Sequence, residues 1–120
     1  MATTQTNKQT VLNAYILSEN LEKFPSGQLI SILKQNLEAA EFVKAMNFIS
    51  EFVLQTILKA CNTETLKEIN RLGELKDEQP LLQFLQNLIV LDDKVAIAGD
   101  NALVFACKTV ARSNKINLDN

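Results

Sequence analysis

Glu38 to Ala60 reads EAAEFVKAMNFISEFVLQTILKA, and its polar side chains recur every three or four residues as one narrow stripe. Nearly every other side chain in this segment is apolar. A surface helix carries an apolar face of roughly 100°, so a helix that is apolar almost all round has to be covered on several sides. This segment is therefore predicted to be the central helix of an all-α bundle. The stripe consists of Glu41, Lys44, Asn47, Glu51, Gln55 and Lys59.

Helical spacing of apolar residues continues on both sides of this central segment. Low glycine and proline content, five residues together, favours long helices over many short strands. The sequence leaves open whether the second helix ends near Asn36 or continues into the third. We expect a compact bundle of five to six helices, at about 7–23, 29–37, 38–60, 66–75, 80–91 and 93–112.

Three local signals predict where helices begin. Ser26 follows Pro25 and is expected to cap the second helix by accepting its free backbone amides. Thr65 with Glu68 three residues later matches a capping box for the fourth helix, with Thr63 as the competing cap. Pro80 suits the first turn of the fifth helix, because its missing N–H is not needed there.

The segment 95–105 has two interpretations. Residues 95–98 and 102–105 read as a hairpin around Gly99-Asp100-Asn101, because Asp and Asn beside glycine suit tight turns. However, alanines recur at 98, 102 and 106, four residues apart, and alanine is the strongest helix former. We expect a helix from Asp93, with a possible break at Gly99 and a new cap at Asp100. Gly99 would then permit the close approach of another helix.

Length and charge bound the class of protein. The chain has 120 residues and a net charge of −2, which fits a single helical domain over 1–120, with 1–7 and 113–120 frayed. No basic start followed by a long apolar run marks a signal peptide, and no stretch has the roughly 20 apolar residues of a membrane span. We expect a cytoplasmic protein with no membrane contact.

Cys61 and Cys107 are expected to be buried thiols, although the sequence leaves open whether they form one disulfide with each other.

The composition excludes several chemistries. The chain has no histidine, which removes Ser-His-Asp and Cys-His catalysis and every histidine-ligated metal site. Neither glycine-rich nucleotide-binding motif occurs. Neighbouring acids, such as Asp92 and Asp93, stand on polar faces or at helix starts, where they are solvated or interact with the helix dipole. The chain is therefore predicted to be no enzyme, with no cofactor and no metal.

A short basic end is the one feature that favours nucleic acid. Lys108, Arg112 and Lys115 follow one another without an acid between Asn101 and Leu118. Three cations give only a weak and strongly salt-dependent contact with phosphates, and basic residues are also common at helix C-termini. Nucleic acid is therefore not the partner we expect. A small helical subunit or regulator that contacts nucleic acid through these residues is kept as an alternative.

Helices 38–60, 80–91 and 95–111 carry more apolar surface than one layer of neighbours in so small a domain covers easily. Uncovered apolar patches usually mark an interface. The leading hypothesis is a non-enzymatic interaction or regulatory module whose partner is itself, as a symmetric dimer, or another protein. Its alternative is a binding domain with an apolar pocket for a hydrophobic small molecule. The interface candidates are the exposed members of Phe48, Phe52, Phe84 and Phe105.

Overall fold

The structure, a computed structural model, describes residues 3–15 and 21–118, and the side chains of residues 3–7 and 9 lie outside that description. The described ranges hold six α-helices and no strand, so the predicted all-α bundle is confirmed. The helices are α1 (Thr3–Tyr15), α2 (Gln28–Asn36), α3 (Ala39–Ala60), α4 (Thr63–Gly73), α5 (Gln79–Leu91) and α6 (Asp93–Ser113).

The first helix differs from its predicted bounds. Its described part is Thr3–Tyr15, so it starts within the terminus expected to be frayed, and residues 21–24 form turns where the helix was predicted to reach Lys23. Residues 16–20 of the predicted helix lie outside the described residues. Leu21 and Phe24 are buried, but they reach the core from turns and not from a continuing helical stripe.

α6 is one uninterrupted helix from Asp93, so the helix preferred over the hairpin for 95–105 is confirmed, whereas the break at Gly99 with a new cap at Asp100 was wrong. Asp92 caps it by accepting hydrogen bonds from the backbone N–H groups of Lys94 and Val95. Gly99 is buried inside the helix, where an added Cβ would lie 2.6 Å from Cζ of Phe24. Gly99 has no side chain and therefore leaves room for the Phe24 ring. It does not mark a turn.

Ser26 and Asp100 form a link that the sequence did not predict. The Asp100 carboxylate accepts hydrogen bonds from the Ser26 backbone N–H (3.0 Å) and from the Ser26 hydroxyl (3.3 Å). The N-cap position of α2 is Gly27, with no side-chain cap, so the predicted capping role of Ser26 was wrong. Instead, this pair fastens the connector before α2 to the middle of α6.

The N-terminus of α4 also differs from the expectation. Helix α4 begins at Thr63, and the Asn62 side chain accepts a hydrogen bond from the Thr65 backbone N–H at 2.8 Å. Asn62 therefore takes the capping position, and both predictions for this helix start, the capping box of Thr65 with Glu68 and the competing cap at Thr63, were wrong. Glu68 binds Arg71 in the next turn instead, and this hydrogen bond lowers the pKa of its carboxyl group.

The boundaries of the other helices follow the sequence more closely. α2 ends at Asn36 and does not run on, because Leu37 has extended backbone angles. Pro80 stands in the first turn of α5, as predicted. After α6, the chain folds back, with the Ile116 N–H donating to the Ala111 carbonyl, and Ile116 and Leu118 lie against the core rather than fraying.

The centre of the fold is a pair of helices, not α3 alone. α3 and α6 make the most extensive contact between any two helices. Their facing side chains Ile49, Val53, Leu103 and Cys107 have no exposed surface. Helices α1 and α2 contact α3, while α2 and α5 contact α6. The molecule is flat, with Cα extents of 42 × 33 × 18 Å, and the outer side of the α3–α6 pair faces solvent.

Candidate interaction surface

α3 and α6 run antiparallel, and this pairing brings distant phenylalanines together. Phe52 of α3 stacks on Phe105 of α6, whereas Ile57 lies beside Gly99 one to two turns further along the pair. Phe48 precedes Phe52 by four residues, so both rings lie on the same face of α3. The sequence separation of more than 50 residues between Phe52 and Phe105 is bridged only by the packing of the two helices.

Phe48, Phe52 and Phe105 form a continuous stack, called the phenylalanine row below. The ring centroids are 6.2 Å apart for Phe48 and Phe52, and 5.3 Å apart for Phe52 and Phe105. Offset stacks at this spacing are favourable contacts between aromatic rings. Nevertheless, the row is open to solvent, since Phe48 is 42% and Phe105 is 60% exposed, while Phe52 is half-buried between them.

Phe84 does not join the phenylalanine row. It lies on α5, is half-buried, and packs against the hydrophobic core. The structure thus brings together three of the four predicted interface residues, and leaves the fourth on a different helix.

A recess adjoins the row at the end of the pair where α3 begins and α6 ends. Its volume is about 290 Å³. Ala45 and Val110, both buried, form its floor, and the residues around it are Glu41, Lys44, Phe48, Thr109, Ser113 and Asn114. The small side chain of Ala45 keeps the recess open between the two helices. The recess is open to solvent, with an apolar floor and a mostly polar rim.

A second apolar patch lies where α5 passes into α6, on helices that were predicted to carry surplus apolar surface, but its residues were not among the four predicted phenylalanines. Val90, Leu91 and Ile97 are 74%, 79% and 61% exposed. The run Ile89-Val90-Leu91 at the end of α5 is the signal that marks this patch in the sequence. Unlike the phenylalanine row, it contains no ring stack, and Val90 and Leu91 occupy the last turn of their helix.

The basic end is only partly assembled. Lys108 and Arg112 are exposed one turn apart on α6 and border a groove of about 300 Å³ with Ile116 and Leu118. Lys115 follows the helix with a left-handed backbone conformation (φ 57°), which places it beyond this face. The structure therefore joins two of the three predicted cations, and nucleic-acid contact through them stays a prediction.

The two thiols are placed as core groups. Cys61 and Cys107 are free and buried, so the disulfide left open above is not formed. Burial raises the pKa of the Cys107 thiol to about 12, and burial together with the nearby Asp92 charge raises the pKa of Cys61. A thiol kept protonated is a poor nucleophile and a poor metal ligand. Across the described ranges, no cluster of three Cys, Asp or Glu side chains is arranged to hold a metal ion.

None of the helices in the described part of the chain combines the length and apolarity that crossing a membrane requires.

The most distinctive surface of the described residues is the phenylalanine row with its recess. Compared with protein-family models, with curated proteins and with solved structures, the chain shows no match.

Proposed function

We propose that this protein is a non-enzymatic interaction module that self-associates as a symmetric dimer through the phenylalanine row. The observation that carries the proposal is the solvent exposure of stacked aromatic rings on the outer side of the α3–α6 pair. Aromatic side chains that cluster on a surface are the usual anchors of protein–protein interfaces. A symmetric dimer covers the same patch on both copies at once.

The total surface of the chain supports this proposal. The accessible surface is 7637 Å² for a mass of 13.4 kDa, whereas a compact folded monomer of that mass exposes about 6,500 Å². The excess of about 1,100 Å² is comparable with the roughly 800 Å² that each partner buries in a standard interface. The radius of gyration, 14.8 Å, also exceeds the value of about 13.6 Å for a compact domain of this length.

The outer side of α3 and α6 is large enough for a stable contact. α3 has 22 residues and is therefore about 33 Å long. Two such helices side by side, each about 10 Å wide, give a footprint of roughly 650 Å² before the relief of the side chains is counted. This area lies at the lower end of specific interfaces, and it includes the exposed polar stripe of α3 as well as the aromatic rings Phe48 and Phe105, which are the residues expected to contribute most of the affinity.

Sedimentation equilibrium across the micromolar range tests the proposal. The natural chain should behave as a dimer that dissociates on dilution. The double variant Phe48→Ser with Phe105→Ser should be monomeric at every concentration, because it replaces both exposed rings by hydroxyls. Its far-ultraviolet circular dichroism should stay unchanged, which shows that the helices are intact.

Val90→Ser with Leu91→Ser is the matched control, because it removes apolar side chains that are even more exposed, from the other patch. This control should remain a dimer. A natural chain that is monomeric throughout the concentration range would overturn the proposal. It would also be overturned by a control that dissociates while the phenylalanine variant stays dimeric.

A further inference from the structure

A self-complementary surface needs both a projection and a place that receives it. Phe105 is the most exposed aromatic side chain on the α3–α6 pair, at 60%. The recess beside Phe48 is the corresponding opening, with apolar Ala45 and Val110 at its floor. One copy of the chain thus carries both halves of a contact that it cannot make with itself.

The projection and the recess lie on opposite sides of Phe48. Phe105 is level with Phe52, four residues after Phe48 on α3. The recess is formed by Lys44 and Ala45 from α3 and by residues around Val110 from α6. Along α6, the centre of the recess is therefore about 10 Å from Phe105, at a rise of about 1.5 Å per residue. Phe48, and Thr109 opposite it, stand close to the midpoint.

We propose that in the dimer each Phe105 ring fills the recess of the other copy. This inference rests on the proposed function and names its geometry. The two-fold axis lies in the plane of the interface and crosses the helices at Phe48 and Thr109. Rotation about that axis carries Phe105 onto the recess of the second copy, and it pairs α3 with α3 and α6 with α6 in antiparallel orientation.

The size and chemistry of the recess match this occupant. The recess has a volume of about 290 Å³ and is open to solvent, so a phenyl ring from a second copy can enter it from outside. Its floor is apolar, and its rim is polar, formed by Glu41, Lys44, Thr109, Ser113 and Asn114. A buried aromatic side chain surrounded by a rim that excludes water is the usual arrangement of an energetic hot spot.

Cysteine cross-linking at the axis tests the register directly. A residue on a two-fold axis meets its own copy, so Thr109→Cys should form a disulfide-linked dimer under mild oxidation. The natural thiols are buried and do not compete. Val90→Cys, on the other apolar patch, is the control and should stay unlinked. In the alternative arrangement, with the axis parallel to the helices, Thr109 faces α3 of the second copy and does not cross-link with itself.

Blocking the recess supplies the second test. Ser113→Trp places a large ring at the exposed rim of the recess, and should raise the dimer dissociation constant about tenfold or more, as hot-spot changes do. Gln83→Trp, at an exposed position on α5, is the control and should leave the dissociation constant unchanged. Phe105→Ala should weaken the dimer to a similar degree as Ser113→Trp, and combining the two should add little, since both remove one contact.

The outcomes separate this inference from the proposed function. A chain that never dimerises overturns both. A dimer that dissociates when Phe48 and Phe105 become serine, but whose Thr109→Cys form does not cross-link and whose Ser113→Trp form binds normally, overturns only the present geometry.

Discussion

The inner and outer faces of α6 hold large apolar side chains in opposite environments. On the inner face, Leu103 and Cys107 are fully buried against the rest of the bundle. On the outer face, Phe105 is 60% exposed, although phenylalanine is as able as leucine to fill a core. This difference teaches that apolar residues in one helix serve two purposes. The inner set holds the monomer together, and we propose that the outer set holds two monomers together.

A substitution on the inner face of α6 should give the largest effect on stability. Leu103→Ala removes a fully buried side chain between α3 and α6 and should lower the free energy of unfolding by about 3 kcal/mol. Urea unfolding, followed by circular dichroism at concentrations where the chain is monomeric, measures this effect. A loss smaller than that caused by a change on the outer face would break the distinction between the two faces.

A pH effect should also arise on the inner face. Because the pKa of Cys107 is raised to about 12 from its ordinary 9.0, the folded chain keeps a proton that the unfolded chain releases above pH 9.0. The contribution of this thiol to the free energy of unfolding is therefore fully present below pH 9.0. It falls as the pH rises towards 12, by at most about 1.4 kcal/mol per pH unit. Urea unfolding at several pH values should show a shallower decline for Cys107→Ala. An equal decline in both chains would contradict the buried, protonated thiol.

Substitutions at the two glycines inside helices, Gly99 and Gly73, test the same comparison with smaller effects on stability. Gly99→Ala should lower the free energy of unfolding by about 1 kcal/mol, because its Cβ meets the packed Phe24 ring and this crowding exceeds the gain in helix propensity. Gly73→Ala is the control, since its Cβ meets chiefly the flexible Lys8 chain, which can move aside. Thermal unfolding should show a lower midpoint for Gly99→Ala alone. Equal midpoints would mean that Phe24 moves as freely as Lys8.

The smallest change in monomer stability should come from the outer face. Phe105→Ala removes a mostly exposed ring and its stack on Phe52, so we expect a loss below about 1 kcal/mol in the monomer. The same change should weaken the dimer strongly. Urea unfolding of the monomer and sedimentation of the dimer measure the two effects separately. A monomer destabilised as much as by Leu103→Ala would show that Phe105 is a core residue.

Much of the fold was predictable from local patterns. Helical spacing located α2 to α6 close to their observed bounds and α1 only in part, since each buries a stripe of apolar residues against its neighbours. Errors fell where several local signals compete. Asn62, Thr63 and Thr65 are all acceptable caps, and only the packed structure selects Asn62. Likewise, Ser26 is a reasonable cap by its type, but Asp100, 74 residues away, provides it with a different partner.

The candidate surface was predictable in its residues but not in its arrangement. Phe48 and Phe105 were expected to be interface residues because their helices are too apolar for the size of the domain. Their stacking through Phe52 depends on how α3 and α6 pair, and no local pattern encodes that register. Phe84 could not be separated from them by sequence, since its burial is set by the tertiary position of α5.

The thinness of the molecule, 18 Å between its broad sides, has a hydrodynamic consequence. A slab tumbles and diffuses more slowly than a sphere of equal mass, because it drags more solvent. Two slabs joined by their broad sides make a nearly isometric particle. The dimer should therefore sediment faster than doubling of the mass alone implies, and its frictional ratio should fall on association.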